Sequence, residues 1–308
     1  MKLWYQSLAR QAETLDYGAD LKKVISLAVE PGTTVHVQGL KEAAGIGAHF
    51  RFLEYHDTKE VIYNAIQAEK EGYDAFMIGN ITDAGMREAR ELVNIPVLGL
   101  SETSLHIASI MGATFGLVAI AEKWIPRLIE NVERYGLRQK LSGIEVMETS
   151  PLDLRKAFRD DARRKDVIAR FTSAAEKLVA NGAEVIIPAG GEVGVFVIEA
   201  GLFELGRSPI VSGIFELIKM GEMAVKLRAL TGRFTRSGSP TPRPRAISSS
   251  ASANITGPMS TRSPARPSHS RRNGQARKSG PASRHAAESS LITTSSGFAF
   301  RGSREHSW

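Results

Sequence analysis

The chain of 308 residues contains no cysteine. That absence excludes disulfide bonds, thiolate metal sites and any cysteine nucleophile. No apolar run approaches the roughly 20 residues that a membrane-spanning helix needs, and the first residues, MKLWYQSLARQ, lack the apolar core of a secretory signal peptide. We therefore expect a cytoplasmic protein with no membrane contact.

Recognisable cofactor motifs are missing as well. The glycines of GLKEAAGIG, residues 39–47, do not fit the G-x-G-x-x-G fingerprint, and neither a phosphate-binding loop nor a metal-ligand spacing occurs. We expect no cofactor and no metal. The protein should instead act on a small molecule with its own side chains.

Positive charge is concentrated near the end of the chain. Residues 233–308 hold 13 Lys/Arg and 2 Asp/Glu, a net charge of +11, whereas residues 1–232 carry −4. Because the end is rich in Ser, Arg, Pro, Ala and Gly and has lost apolar periodicity, we expect residues 233–308 to be disordered. The tail is either an accidental extension or a basic arm, but its arginines are scattered and no groove-reading motif occurs, so we do not expect a nucleic-acid partner.

A short pattern that occurs twice organises the rest. GYDAFMIGN begins at Gly72 and GAEVIIPAG at Gly182; each has a glycine, an acidic residue and an apolar run that ends in small residues. Such runs are typical of strands covered by helices on both faces. Asn80 and Gly190 occupy the equivalent strand ends. Because parallel α/β sheets bind ligands at the carboxyl ends of strands, we expect both positions to face one cleft.

Strands and amphipathic helices alternate through the first 232 residues, as in a mainly parallel sheet with helical crossovers. We predict an α/β fold of two similar, mainly parallel halves related by pseudo-twofold symmetry around a central cleft. The first half comprises residues 1–100 with 208–232, and the second comprises 101–207. Residues 39–55 are predicted to be a loop, followed by a helix over 58–71 with Thr58 as its N-cap.

Several segments resemble the aspartate/glutamate/hydantoin racemase superfamily, most closely its hydantoin racemase branch. The resemblance is carried by YDAFMIGNITDAGMREARE, IPVLGLSETSLHIA, FGLVAIAEKWIP, GAEVIIPAGGEVG and PIVSGIFELIKMGE, in the family's order and spacing. It implies two facing halves, a homo-oligomer, and cofactor-independent proton transfer next to the carbonyl of a small amino-acid-derived carboxylate or cyclic amide. In the family, two cysteines at the repeated strand ends remove and return the proton.

The chain departs from that pattern at the decisive positions. The family's cysteines align with Asn80 and Gly190, and neither an amide nor a glycine can replace a thiol in proton transfer. The two-thiol mechanism is therefore excluded. Ala119-Ile120 stands where relatives often carry paired hydroxyls, which predicts a more apolar pocket.

Three side chains are candidates for the missing acid–base chemistry. Glu192 follows the second strand end among apolar neighbours, where burial would raise its pKa and suit it as a general base; the alternative is a solvated acid in the first turn of a helix. Glu102 and His106 lie one helical turn apart after another strand and could shuttle protons, unless Ser101 caps that helix and the pair is structural.

The predicted substrate contacts come from the same strand ends. Asn80 and the backbone N–H groups of Gly190 and Gly191 could hold a carboxylate or an enolate-like oxyanion, although the two glycines also suit a simple tight turn. The remaining predicted contacts are polar or adjacent positions at these ends: Ile81, Asp83, Ser101, Gln6 and Ser7. Asp83 has an alternative role at a helix start, paired with Arg87.

Three functions remain open from the sequence. The first is a racemase-superfamily isomerase in which non-thiol groups move the proton. The second is a lyase, such as a decarboxylase, or a hydrolase that uses the oxyanion site on the same scaffold. The third is a binding protein that has kept the cleft and lost the chemistry.

Overall fold

A computed structural model describes residues 1–10, 14–42 and 50–235. By its contacts the chain divides into Met1–Ile247 and Ser248–Trp308, and the described residues all belong to the first unit. Residues 236–308 of the predicted disordered tail lie outside the described residues. Within the described part, no helix combines the length and apolar character that crossing a bilayer requires.

The first half is built on a parallel four-stranded sheet with the order β2-β1-β3-β4. Its elements in chain order are β1 Lys2–Arg10, α1 Thr14–Ala28, β2 Thr34–Leu40, α2 Arg51–Lys70, β3 Ala75–Ile78, α3 Met86–Leu92 and β4 Val97–Gly99. β3 is an uninterrupted buried run, which is why its four residues are all apolar.

The second half is built on a parallel three-stranded sheet with the order β6-β5-β7. Its elements are α4 Leu100–Met111, β5 Phe115–Ala119, α5 Ile125–Arg134, β6 Leu141–Val146, α6 Pro151–Ala157, α7 Asp161–Ala180, β7 Val185–Pro188 and α8 Gly191–Glu199. A short antiparallel pair, β8 Glu204–Leu205 and β9 Ser208–Pro209, precedes α9 Ile214–Thr231. A single parallel bridge from Ile186 to Ile210 extends this sheet as β4 extends the first.

The two copies of the repeated pattern fold alike in detail. Gly72 and Gly182 both end a helix in the left-handed region, at φ 74° and 87°. The Asp74 carboxylate accepts the backbone N–H of Lys2 at 2.8 Å, and the Glu184 carboxylate accepts that of Ala113 at 2.7 Å. Each acidic residue therefore ties the start of its strand to the start of the central strand of its sheet.

Two hydrophobic clusters hold the elements together. The larger one is continuous across both halves and includes Leu3 and Met77 from the first sheet with Leu117 and Ile186 from the second. The smaller one lies under the other face of the first sheet, where Trp4 and Phe76 meet α2 and α3. The fold class predicted from the sequence is confirmed: mixed α/β with parallel sheets.

One predicted helix is wrong in extent. Helix α2 begins at Arg51, so residues 51–55 of the loop predicted over 39–55 are helical. Thr58 is not the N-cap but lies inside the helix, where its hydroxyl donates to the Glu54 carbonyl at 2.7 Å. The first buried residue of α2 is Asp57, so the first turn offers no apolar periodicity to detect.

Candidate active site

The ends of the two equivalent strands, β3 and β7, lie against each other. A β-carbon placed on Gly191, after β7, would lie 3.1 Å from the Gly79 carbonyl oxygen, after β3, and 3.2 Å from the Tyr17 hydroxyl. A side chain at this position would crowd both groups, so glycine suits so close an approach. The junction of the two halves therefore brings both repeated strand ends to one place.

Tyr5 of β1 fills the space beside this junction. Its side chain is fully buried, and a β-carbon on Gly79 would lie 2.1 Å from its ring. The Tyr5 hydroxyl points to that of Tyr17 but makes no hydrogen bond of good geometry with any group in the described residues. Burial raises the pKa of both tyrosines, and the negative charge of Glu192 contributes to the rise at Tyr17. Both phenols thus remain protonated donors at neutral pH.

Helix α8 begins at the junction. Gly190 is its extended N-cap residue, and the Gly190 N–H donates to the Pro188 carbonyl at 2.9 Å. The oxyanion contact predicted for that N–H stays a prediction, and it would have to replace this hydrogen bond. Because Gly190 has no side chain, it cannot cap the N–H groups at the start of α8, from Gly191 onward.

Glu192 stands in the first turn of α8 with its side chain 21% exposed. One of its carboxylate oxygens lies 3.9 Å from the Arg155 Nε of α6. Its neighbours Val193, Val195 and Phe196 are buried. The carboxylate is thus partly desolvated, close enough to Tyr17 to affect its pKa, and held by a long ion pair.

The loop after β3 is fixed by its own side chains. The Asn80 Oδ1 accepts the Thr82 N–H at 2.9 Å and the Thr82 hydroxyl at 2.7 Å, which is an Asx turn. Ile81 is buried in the large cluster, and its carbonyl accepts the Asn131 side-chain amide at 3.0 Å. Asn80 therefore lies at the strand end beside Gly79, as predicted, whereas the Ile81 side chain packs in the core.

Asp83 is buried, and its backbone has a φ of 52°. Although it lies outside helix α4, its side chain caps the N-terminus of that helix. Its carboxylate accepts the backbone N–H groups of Ser101 and Glu102 at 2.9 and 2.8 Å and the Tyr135 hydroxyl at 2.6 Å. Burial raises the pKa of Asp83 to about 7, while these three donors limit the rise. The predicted pair with Arg87 is not formed, because the carboxylate is turned to the start of α4 instead.

Glu102 and His106 do not form a side-chain pair. The Glu102 carboxylate binds Arg90 through two hydrogen bonds of 2.9 and 2.5 Å. The His106 Nδ1 contacts the Glu102 backbone carbonyl at 2.8 Å, and its exposed ring lies against Tyr135. The proton shuttle predicted for these two residues is therefore absent from this arrangement. Ser101 does not cap α4 either, since the helix starts at Leu100 and Asp83 takes that role.

Gln6 and Ser7 lie within β1 rather than at its end. The Gln6 amide donates to the carbonyls of Ser7 and Gln38, and its oxygen accepts from Trp4 and Asn64. All the hydrogen-bonding positions of this buried amide are engaged, which favours a structural role. The Ser7 hydroxyl accepts the Ala9 N–H at 3.1 Å at the point where the strand register shifts.

The arrangement at the strand ends can move a proton and hold negative charge. It combines a carboxylate (Glu192), two buried phenol donors (Tyr5 and Tyr17) and the start of α8, with Ile120 as an apolar wall beside Gly190. Sequence reasoning missed Tyr17 and Arg155, since neither belongs to the repeated pattern. They lie on α1 and α6, and these two helices come to the same junction only in the folded structure.

The fold belongs to the class of proteins in which two α/β halves face each other with their strand ends at a common junction. A family model described as Asp/Glu/Hydantoin racemase matches residues 43–219. The chain is 28% identical over 180 residues to a hydantoin racemase of Pseudomonas sp. (strain NS671), covering 58% of this chain and 70% of that protein. It is 29% identical over 140 residues to a hydantoin racemase of Paenarthrobacter aurescens, of which the match covers 57%.

A solved structure shows the same fold. The allantoin racemase from Klebsiella pneumoniae aligns with a TM-score of 0.64 at 19% identity, over 81% of this chain and 97% of that one. The chain belongs to the Asp/Glu/Hydantoin racemase family. The superfamily and the hydantoin racemase branch expected from the sequence are thereby confirmed.

Proposed function

We propose that this protein is a cofactor-independent isomerase that exchanges the proton on a carbon next to a carbonyl, with Glu192 as the base in place of a thiol. The observation that carries the proposal is the position of Glu192. Glu192 belongs to the first turn of α8, two residues beyond the strand-end position equivalent to Asn80, and its negative charge acts on Tyr17 of the first half. Proton transfer by a carboxylate needs neither cysteine nor metal.

The proton balance of the step is simple. The Glu192 carboxylate takes the proton from the substrate carbon and becomes a carboxylic acid, while the carbonyl oxygen gains the charge of an enolate. The Tyr17 hydroxyl, which burial keeps protonated, donates a hydrogen bond to that oxygen. The carboxylic acid then returns a proton to the planar carbon. Because one carboxyl group reaches only one face of the carbon, the stereocentre inverts when the enolate turns over before the proton returns.

Substrate choice follows from the apolar wall and from the named relatives. Ile120 lies where a carboxylate-binding hydroxyl would make the pocket polar, so a cyclic amide with an apolar substituent fits better than a free amino acid. Curated relatives are hydantoin racemases. We propose 5-substituted hydantoins as the first class to test.

The test is proton NMR of the full chain in deuterium oxide with an enantiopure 5-substituted hydantoin. We expect loss of the C5 proton signal with no new compound, together with loss of optical rotation. Glu192→Gln should slow exchange by about 10²–10⁴-fold, the usual contribution of a general base. Michaelis constants should change less than turnover.

Glu102→Gln is the matched control. Glu102, like Glu192, lies in the first turn of a helix that follows a strand, and it also pairs with an arginine. Exchange should persist in this variant. Slow exchange in Glu102→Gln with normal exchange in Glu192→Gln would show that Glu102, and not Glu192, is the base. A product of altered mass would instead favour a lyase or hydrolase, and saturable binding without exchange or product would favour a binding protein.

A further inference from the structure

Helix α6 presents Arg155 to the start of α8. Ser150 caps α6 with its side chain, and Leu154 and Ala157 are buried. Because these contacts fix the rotation of the helix, Arg155 is held on a face of defined direction. Its side chain is 26% exposed, and its Nε lies 3.9 Å from the Glu192 carboxylate.

An aromatic stack holds α6 and α8 together. Phe158, directly after α6, stacks on Phe196 of α8 with ring centroids 4.2 Å apart and an angle of 26° between the planes. Arg155 precedes Phe158 by three residues and Glu192 precedes Phe196 by four, so each charged residue lies on the same side of its helix as the ring. The stack therefore brings the guanidinium and the carboxylate together.

The same stack reaches Tyr17, which carries the hydroxyl that the proposed reaction uses. The Phe158 ring meets the Tyr17 ring edge on, with centroids 5.3 Å apart and planes at 61°. The charge of Glu192 contributes to the raised pKa of Tyr17, so the carboxylate and the phenol lie close enough to interact. Arg155, Glu192 and Tyr17 are thus tied to one another through buried aromatic rings.

Charged groups on the other elements packed against α8 are engaged by partners of their own. They are Lys23 of α1 and Arg164 of α7, which pair with Glu199 at the last residue of α8, Asp20 of α1, which also pairs with Arg164, and Glu216 of α9, which binds the Ser212 hydroxyl. Strand β7 has no titratable residue. Arg155 therefore acts on Glu192 without a competing cation from these elements.

We propose that Arg155 is a positioning residue for Glu192, holding its carboxylate ionised and directed to the strand-end junction. Partial burial among apolar side chains favours a neutral carboxyl group, whereas a guanidinium close by favours the ionised form. The second effect matters for the reaction, because only the ionised form of Glu192 can take a proton. The catalytic meaning of this inference rests on the proposed function, but the effect on Glu192 can be measured without turnover.

NMR titration of the full chain, labelled with carbon-13 at the glutamate carboxyl groups, tests the proposal. The Glu192 signal is the one that Glu192→Gln lacks. We expect its titration midpoint to rise by about one pH unit in Arg155→Gln, because an opposite charge at this distance favours the ionised form. Arg155→Lys keeps the charge and should leave the midpoint near that of the unaltered chain. The low-pH limit of hydantoin exchange should move up with the midpoint, with little change in the Michaelis constant.

Lys156→Gln is the matched control, because it removes a positive charge from the next residue of α6, where Lys156 is 58% exposed and pairs with Asp153. Its Glu192 midpoint should match that of the unaltered chain. An unchanged midpoint in Arg155→Gln, or an equal rise in Lys156→Gln, would overturn the assignment of Arg155 even if hydantoin exchange occurs. A midpoint that rises only in Arg155→Gln, in a chain that exchanges no hydantoin proton, would support the effect of Arg155 on Glu192 and contradict the proposed function instead.

Discussion

The Asp83 carboxyl shows how one buried residue can couple local structure to pH. It accepts three hydrogen bonds yet has almost no contact with water, and burial raises its pKa to about 7. The folded state therefore holds this proton more tightly than the unfolded state does. The resulting stabilisation is complete below the unfolded pKa, near 4, and is lost as the pH rises through 7.

Asp83→Asn tests that effect. The unaltered chain should lose stability relative to the variant between pH 5 and pH 8, with a slope of at most about 1.4 kcal/mol per pH unit for one proton. Urea unfolding of both proteins at several pH values in this range gives the difference in free energy of unfolding. A difference that stays flat, or grows in favour of the unaltered chain at high pH, would show that Asp83 is ionised throughout.

At the scale of the element, the repeated strand starts make a symmetric prediction. Asp74 accepts the backbone N–H of Lys2, the first residue of β1, and Glu184 accepts that of Ala113, two residues before β5. Asp74→Ala and Glu184→Ala should each lower the free energy of unfolding by about 0.5–1.5 kcal/mol, the net value of one hydrogen bond. Thermal and urea unfolding measure both changes. Glu71→Ala, which removes an exposed contact to Gln67, is the control and should change stability less.

Elements whose pattern is local were predictable from the sequence. The β3 and β7 runs are wholly buried and bounded by glycine, so their apolar residues are continuous, and the structure has strands there. Helix α6 and the β8–β9 pair were not predicted, because short elements have too few residues to establish a period. The start of α2 was missed for a different reason, since its first turn buries no apolar side chain.

The candidate site was predictable only in part, because some of its side-chain partners come from distant elements. Gly190, Gly191 and Glu192 follow a recognisable strand, and the structure places them at the junction. Glu102 has a comparable position in the sequence, but its carboxylate is directed to Arg90 by the packing of α3 against β4. Side-chain direction and partners from distant elements, such as Tyr17, require the tertiary fold.

At the scale of the whole molecule, the two sheets share one hydrophobic core. The large cluster runs from Leu3 and Met77 to Leu117 and Ile186, and α9 returns to pack on β3, where a β-carbon on Gly221 would lie 2.6 Å from the Met77 sulfur. Ion pairs between α2 and α5 add to this contact. Because most of the buried apolar surface is common to both halves, neither half can lose its structure without exposing the core of the other.

We therefore expect the halves to unfold in a single transition, and the chain provides a reporter in each. Trp4 is buried under the first sheet and Trp124 is buried in the second half. In two variants that also carry Trp308→Phe, Trp4→Phe leaves Trp124 as the reporter and Trp124→Phe leaves Trp4. After correction for any shift in global stability by circular dichroism, each fluorescence transition in urea should coincide with the loss of helix in the same variant. A Trp124 transition that precedes or follows the loss of helix, with the opposite displacement for Trp4, would show that the halves unfold independently and that the shared core contributes less than its extent implies.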